Sequence, residues 1–271
     1  MKPLNKLYII CVTLLVLSSN VNSATIDTLY VHSAKMDKDL PVIVVTPQAE
    51  TNTIFPVVYL LHGYSGDFSN WRNKANLDSL ADIYQMLLVC PDGSTNSWYI
   101  DSPLQPQSQY ETFIAEELTQ YIDSHYPVFE GRTKKAITGL SMGGHGALYL
   151  AARHPDKYFA AGSMSGGVDL TYSTKSWEIA EKIGHYEEYS QRWHENSIVN
   201  MIEMIKNANL ALMIDCGVDD FFIEVNRTLH HRLILAKVGH DYIERPGKHS
   251  WDYWVRVLPY HLFFFREQFS K

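Results

Sequence analysis

The chain has 271 residues, 46% of them hydrophobic, which lies within the range where one α/β domain buries a large core. Its formal net charge of −7 becomes −9 if Lys2 and Lys6 are removed with a leader, so no basic face for nucleic acid or anionic lipid is expected. A neutral or soluble small-molecule substrate fits this balance better than a polyanion.

Residues 1–23 read as a secretory signal. Lys2 and Lys6 precede an apolar run from Leu7 to Leu17, and Val21 and Ser23 stand where cleavage needs small side chains. The competing reading is a membrane anchor, but the run is shorter than the about 20 residues a bilayer requires. Cys11 has Ile9 and Ile10 before it and no adjoining small residue, so it is not read as a lipidation site. The expected location is therefore periplasmic or secreted, with no stable membrane insertion after cleavage. The mature chain, 24–271, is expected to be one domain keeping Cys90 and Cys216, each at the end of an apolar run, as free core thiols rather than a disulfide.

Beyond the leader, apolar runs alternate with amphipathic segments, the pattern of an α/β fold with a mostly parallel sheet and helices on both faces. Thr28–Ser33 and Val42–Thr46 are predicted to open as an antiparallel pair. Phe55–Leu61 is apolar enough to be buried on both faces. Further strands are predicted at Met86–Cys90, Lys135–Thr138, Ala160–Met164, Leu210–Cys216 and Tyr242–Arg245. Helices are predicted at Glu111–His125, Met142–Arg153, Phe221–Lys237 and from Ser250 onward, where Pro259 should kink or break the last one. The stretch 168–209 departs from the alternation and carries Trp177, Tyr186, Tyr189 and Trp193. It reads either as an insertion over the site or as a surface helical pair whose aromatics pack on the sheet.

The chemistry concentrates at Gly139-Leu140-Ser141-Met142-Gly143, directly after strand-like Ala136-Ile137-Thr138 and before a helix of small residues. A tight strand-to-helix turn holds its central serine in a strained backbone conformation, and the flanking positions tolerate no Cβ. Ser141 is the predicted nucleophile, and the Met142 N–H, at the positive end of the helix, a predicted oxyanion donor. Upstream, Leu60-Leu61-His62-Gly63-Tyr64-Ser65-Gly66 ends the most apolar strand, and the Tyr64 N–H is the candidate second donor. His62 stands too early in the chain for the Ser, acid, His order of this fold and is read as structural. The base is predicted to be His249, on the loop Pro246-Gly247-Lys248-His249-Ser250-Trp251; His230, His231, His240 and His261 fall in helices or beside a strand. The acid is sought in Asp215-Cys216-Gly217-Val218-Asp219-Asp220, where Asp220 is favoured because Asp215 still belongs to the strand and Asp219 reads as a solvated neighbour.

These residues resemble the esterase D-like branch of the α/β-hydrolases, which includes tributyrin-type, feruloyl and acetylxylan esterases and S-formylglutathione hydrolases. Phe55 to Gly63 resembles the family's oxyanion strand, Gly139 to Leu148 its elbow, and Asp215 to Phe221 and Gly247 to Trp251 its acid and base loops. The resemblance places the catalytic aspartate directly before an aromatic or apolar residue, as Asp220 stands before Phe221. Pro91-Asp92-Gly93 and Ser97-Trp98-Tyr99 resemble a segment bordering the acyl pocket, which implies Trp98 and Tyr99 as substrate contacts. The implied activity is an exported serine carboxylesterase working through an acyl-enzyme, on short-chain or aromatic acyl esters such as acetyl or feruloyl esters of plant polysaccharides. No metal or organic cofactor is expected, since the histidines show no metal-ligand spacing. The rivals are an exported acyltransferase of mycolyltransferase type and a non-catalytic carbohydrate-binding member of the fold.

Overall fold

A computed structural model describes residues 23–271. The predicted leader, apart from Ser23, lies outside the described residues. Eight strands form one sheet in the order β1-β2-β4-β3-β5-β6-β7-β8. They are β1 Thr25–Ser33, β2 Lys38–Thr46, β3 Val57–Leu61, β4 Leu87–Pro91, β5 Lys135–Leu140, β6 Ala160–Met164, β7 Ala211–Gly217 and β8 Asp241–Arg245. β2 runs antiparallel to both β1 and β4, and every pairing from β4 onward is parallel.

The helices are α1 Asn70–Lys74, α2 Leu77–Tyr84, α3 Tyr110–Thr112, α4 Thr119–His125, α5 Met142–Arg153, α6 Ile179–Ile183, α7 Tyr186–Glu195, α8 Ile202–Ala208, α9 Ile223–Leu235 and α10 Trp251–Phe269. They cover both faces because the central strands alternate two apolar sets. Val57, Tyr59 and Leu61 of β3 pack with Ile114, Leu118, Ala147 and Leu229, while Val58 and Leu60 pack with Leu77, Ala81, Val257 and Leu258. All five residues of β3 are buried, as a run without polar residues requires. Cys90 and Cys216 are both buried and free. Among the described residues, no helix is long and apolar enough to cross a membrane.

One helical expectation holds with a local change and another is corrected. Residues 110–125 are helical throughout, but Phe113–Leu118 widen into a π-helical turn between α3 and α4. More clearly, Pro259 does not break the last helix: α10 runs unbroken from Trp251 to Phe269 with the proline inside. Proline removes one N–H donor and crowds the preceding turn, at about 3 kcal/mol. Against that, α10 buries Tyr253, Trp254, Val257, Leu258, Leu262, Phe264, Phe265 and Phe269, and fully burying one such side chain contributes roughly 1.5–3 kcal/mol. Tertiary packing outweighs the local defect.

Candidate active site

Parallel strands of an open sheet present their carboxyl ends along one edge, and loops leaving neighbouring strands meet there. The loops after β3, β5, β7 and β8 carry His62-Gly63-Tyr64, Ser141, Asp220 and His249, so four segments far apart in the chain converge.

Ser141 sits at the junction of β5 and α5 with φ +55° and ψ −115°, a conformation costly for any residue with a side chain. It persists because its surroundings fix it. Ser141 N–H donates to Met164 O at 3.0 Å, and Ser141 O accepts from His145 and Gly167 N–H at 3.1 and 3.2 Å. The flanking glycines are required by crowding. A Cβ on Gly139 would meet Gly143 O at 2.5 Å, and one on Gly143 would meet both Leu61 O and His62 O at 2.5 Å. The two signature motifs of the sequence are therefore in backbone contact.

His249 brings its Nε2 to 2.9 Å from Ser141 Oγ. On the other side of the ring, Nδ1 lies 3.0 and 2.9 Å from the two carboxylate oxygens of Asp220. A carboxylate can only accept, so Nδ1 carries the proton and Nε2 presents its lone pair to the serine hydroxyl. Asp220 is fully buried, and its Oδ1 also accepts the Phe222 N–H at 2.8 Å. The three carboxylates of the acid loop are thus separated by environment. Asp215 is buried against the Arg245 guanidinium and the Tyr253 hydroxyl, Asp219 is exposed, and Asp220 faces the imidazole.

Two backbone amides beside the serine are candidates for the oxyanion. In the turn after β3, Ser65 N–H donates to Thr95 O and Gly66 N–H to Gly63 O, whereas the Tyr64 N–H has no protein acceptor among the described residues. Met142 is the first residue of α5, where N–H groups have no intrahelical partner. His62 braces this turn from below: its Nε2 accepts the Gly93 N–H at 2.8 Å, so its Nδ1–H donates to Gly63 O at 2.9 Å. Burial lowers its pKa and keeps the ring neutral.

The other histidines take no part. His261 is buried beneath the sheet with its pKa pushed down to about 3 by burial, and His230 and His240 approach one another at 2.8 Å on the α9 side of β8. Among the described residues no three His, Cys, Asp or Glu side chains gather into a metal-holding cluster.

A cleft of about 490 Å³ opens over Ser141, bounded by Gly63, Tyr64, Asn70, Leu140, Trp177, Phe221, His249, Ser250, Trp251 and Trp254. Its walls are largely aromatic: Phe221 and Trp254 flank the His249 ring at 4.2 and 4.8 Å between centroids, and Trp177 lies near-parallel to Phe221. Trp98 and Tyr99, expected as substrate contacts, are absent from this boundary. They are 2% and 0% exposed, and the Tyr99 hydroxyl donates to His62 O at 3.0 Å. Packing beneath the site accounts for both rings, which a single sequence does not separate from pocket aromatics. Of the 168–209 stretch, Trp177 reaches the cleft, whereas Trp193 is buried with its indole N–H on Gly184 O. Trp251 and Trp254 escaped the sequence reading, although their places just after His249, on the first turn of the last helix, hold the signal.

The sheet order, the strained serine and the converging histidine define an α/β-hydrolase. The Esterase family model matches residues 33–265, so the chain belongs to that family, within the esterase D-like branch, and is a carboxylic ester hydrolase. It is similar to an acetyl esterase of Caldicellulosiruptor saccharolyticus, 26% identical over 74% of this chain and 79% of that one. A diacylglycerol acyltransferase/mycolyltransferase Ag85B of Mycolicibacterium smegmatis is 28% identical, over 74% and 73% of the two chains. Among solved structures, a ferulic acid esterase matches with a TM-score of 0.78 and 27% identity, covering 90% of this chain and 98% of its own.

Proposed function

We propose that this esterase is exported and cleaves its substrates through an acyl-enzyme on Ser141. One observation carries the mechanism: Ser141 Oγ, His249 Nε2, His249 Nδ1 and Asp220 stand in line, each within 3.0 Å of the next. His249 takes the Ser141 proton as Oγ attacks the ester carbonyl, and the Tyr64 and Met142 N–H groups receive the oxyanion. Asp220 holds the tautomer and stabilises the imidazolium. His249 then hands its proton to the departing alcohol. Water repeats the sequence on the acyl-enzyme and releases the acid.

The aromatic walls support an aromatic or short-chain acyl group, and a cleft of about 490 Å³ has room for more than an acetyl. Feruloyl and acetyl esters carried by plant polysaccharides combine these features with the export expected from residues 1–23. Comparing kcat/KM on p-nitrophenyl acetate, p-nitrophenyl butyrate, methyl ferulate and acetylated xylan tests this, together with fluorophosphonate labelling that should vanish in Ser141→Ala. Failure on all four substrates would remove the esterase mechanism from first place. Loss of a leader in mature protein recovered outside the cytoplasm tests export.

A second reading, acyl transfer to an alcohol, is favoured by the likeness to the mycolyltransferase, which is 28% identical to this chain against 26% for the acetyl esterase. Only the second nucleophile differs. The partition of the acyl-enzyme between water and added alcohol separates the two.

A further inference from the structure

Trp98 does not reach the cleft, yet its indole N–H donates to Trp177 O at 3.1 Å. Two residues earlier, Asn96 Nδ2 donates to Glu178 Oε2 at 2.8 Å. Both acceptors belong to one unusual dipeptide. Trp177 and Glu178 are consecutive non-glycine residues with φ of +57° and +54°, a left-handed pair that L side chains disfavour. Such a conformation lasts only where neighbours over-determine it.

The holding side is itself rigid. Trp98 and Tyr99 form a second left-handed pair, with φ of +54° and +59°. Tyr99 N–H donates to Ser97 Oγ and its hydroxyl to His62 O, both at 3.0 Å. The Trp98 ring lies so close to Gly167 that a Cβ there would stand 2.9 Å away, and it meets the His145 ring edge-on at 5.4 Å. On the held side Trp177 is half-buried and Glu178 exposed, and the Trp177 indole walls the cleft, near-parallel to Phe221 at 6.1 Å. The Tyr64 hydroxyl also faces Glu178, whose charge, after burial, raises its pKa.

We infer that Trp98 and Asn96 are positioning residues for substrate selection, holding the left-handed Trp177–Glu178 pair so that the Trp177 ring stands as a fixed wall for large, aromatic acyl groups. This rests on the Ser141 cleft being the site of ester cleavage. The two side chains touch neither Ser141, Asp220 nor His249, so the effect falls on acyl groups large enough to need the wall. An acetyl group, held by the oxyanion donors and the serine alone, is indifferent to it.

Trp98→Phe removes the N–H together with the outer indole atoms Cζ3 and Cη2 that pack on Gly167, so its thermal midpoint is read beside its kinetics. That variant, Asn96→Ala, the double variant and Trp177→Ala are compared by kcat and KM on p-nitrophenyl acetate and methyl ferulate, with fluorophosphonate labelling rate and thermal midpoint alongside. Trp98→Phe and Asn96→Ala should each raise KM for methyl ferulate about 3- to 10-fold, the worth of one hydrogen bond, and leave kcat/KM on the acetate within about twofold. The double variant should approach Trp177→Ala rather than the product of the singles, because both bonds hold one segment. If Trp98→Phe lowers the midpoint, Asn96→Ala carries the test alone. Parallel losses on both esters, unchanged ferulate kinetics in variants that label normally, or no turnover of methyl ferulate by the parent would each overturn the inference. A parent enzyme that is not labelled at Ser141 would instead overturn the mechanism beneath it.

Discussion

Both carboxylate oxygens of Asp220 lie within 3.0 Å of His249 Nδ1, and the carboxylate is fully buried while the imidazole keeps 16% of its side-chain surface exposed. A buried anion with a single imidazole opposite it fixes which nitrogen is protonated. The exposed edge of the same ring stays free to meet the serine and the leaving group.

Replacing Asp220 by Asn should therefore lower kcat on p-nitrophenyl acetate by about 10⁴-fold with little change in thermal midpoint, since an amide favours the wrong tautomer. Asp219→Asn, one residue earlier but exposed, should stay within about threefold of the parent, as surface substitutions usually do. Equal losses in the two variants would show that Asp220 is not the orienting carboxylate.

Gly143→Ala places a Cβ against two backbone carbonyls, Leu61 O and His62 O, at 2.5 Å. Neither can rotate aside. The variant should lose about 3 kcal/mol or more of stability, beyond the usual range for overpacking because backbone rather than a side chain must yield. Its residual activity should also fall, because the turn after β3 carries the Tyr64 donor. Urea unfolding with a parent-like midpoint would contradict the close approach of the two motifs.

Arg245→Ala should be among the most damaging single changes away from the cleft. It strips the guanidinium from Asp215, whose side chain is fully buried, leaving a carboxylate held only by the Tyr253 hydroxyl. Removing one partner of a buried pair costs about 3–5 kcal/mol. The paired change Asp215→Asn with Arg245→Ala should recover part of that loss, measurable by thermal unfolding; no recovery would mean that the pair is not the cause.

Acid should destabilise the fold through its buried histidines. His62, His145 and His261 are buried, and burial lowers all three, His145 to about 4 and His261 to about 3. In the unfolded chain such rings titrate near 6.5. The unfolded state therefore binds more protons below that pH, so stability is complete above about pH 6.5 and is lost as pH falls toward 4. The urea midpoint should drop steadily between about pH 7 and pH 5 at constant m, by the linear denaturant relation. A flat midpoint across that interval would show these rings to be solvated.

What the sequence determined by itself was local and chemical. Every predicted strand appears within a few residues of its expected bounds, and in a strand such as β3 a run with no polar residue leaves only burial inside a sheet. The serine, the histidine and the loop of the acid were legible because a strained turn, a helix start and a post-strand loop each demand particular residue types at fixed spacing. What needed the tertiary structure was everything decided between segments. Pro259 lies inside a continuous helix because side chains packed across the sheet outweigh one missing hydrogen bond, a comparison invisible in local propensity. Trp98 differs from Trp177, Trp251 and Trp254 in no property of its side chain, only in whether the convergence of four loops leaves a ring beneath the site or facing the cleft.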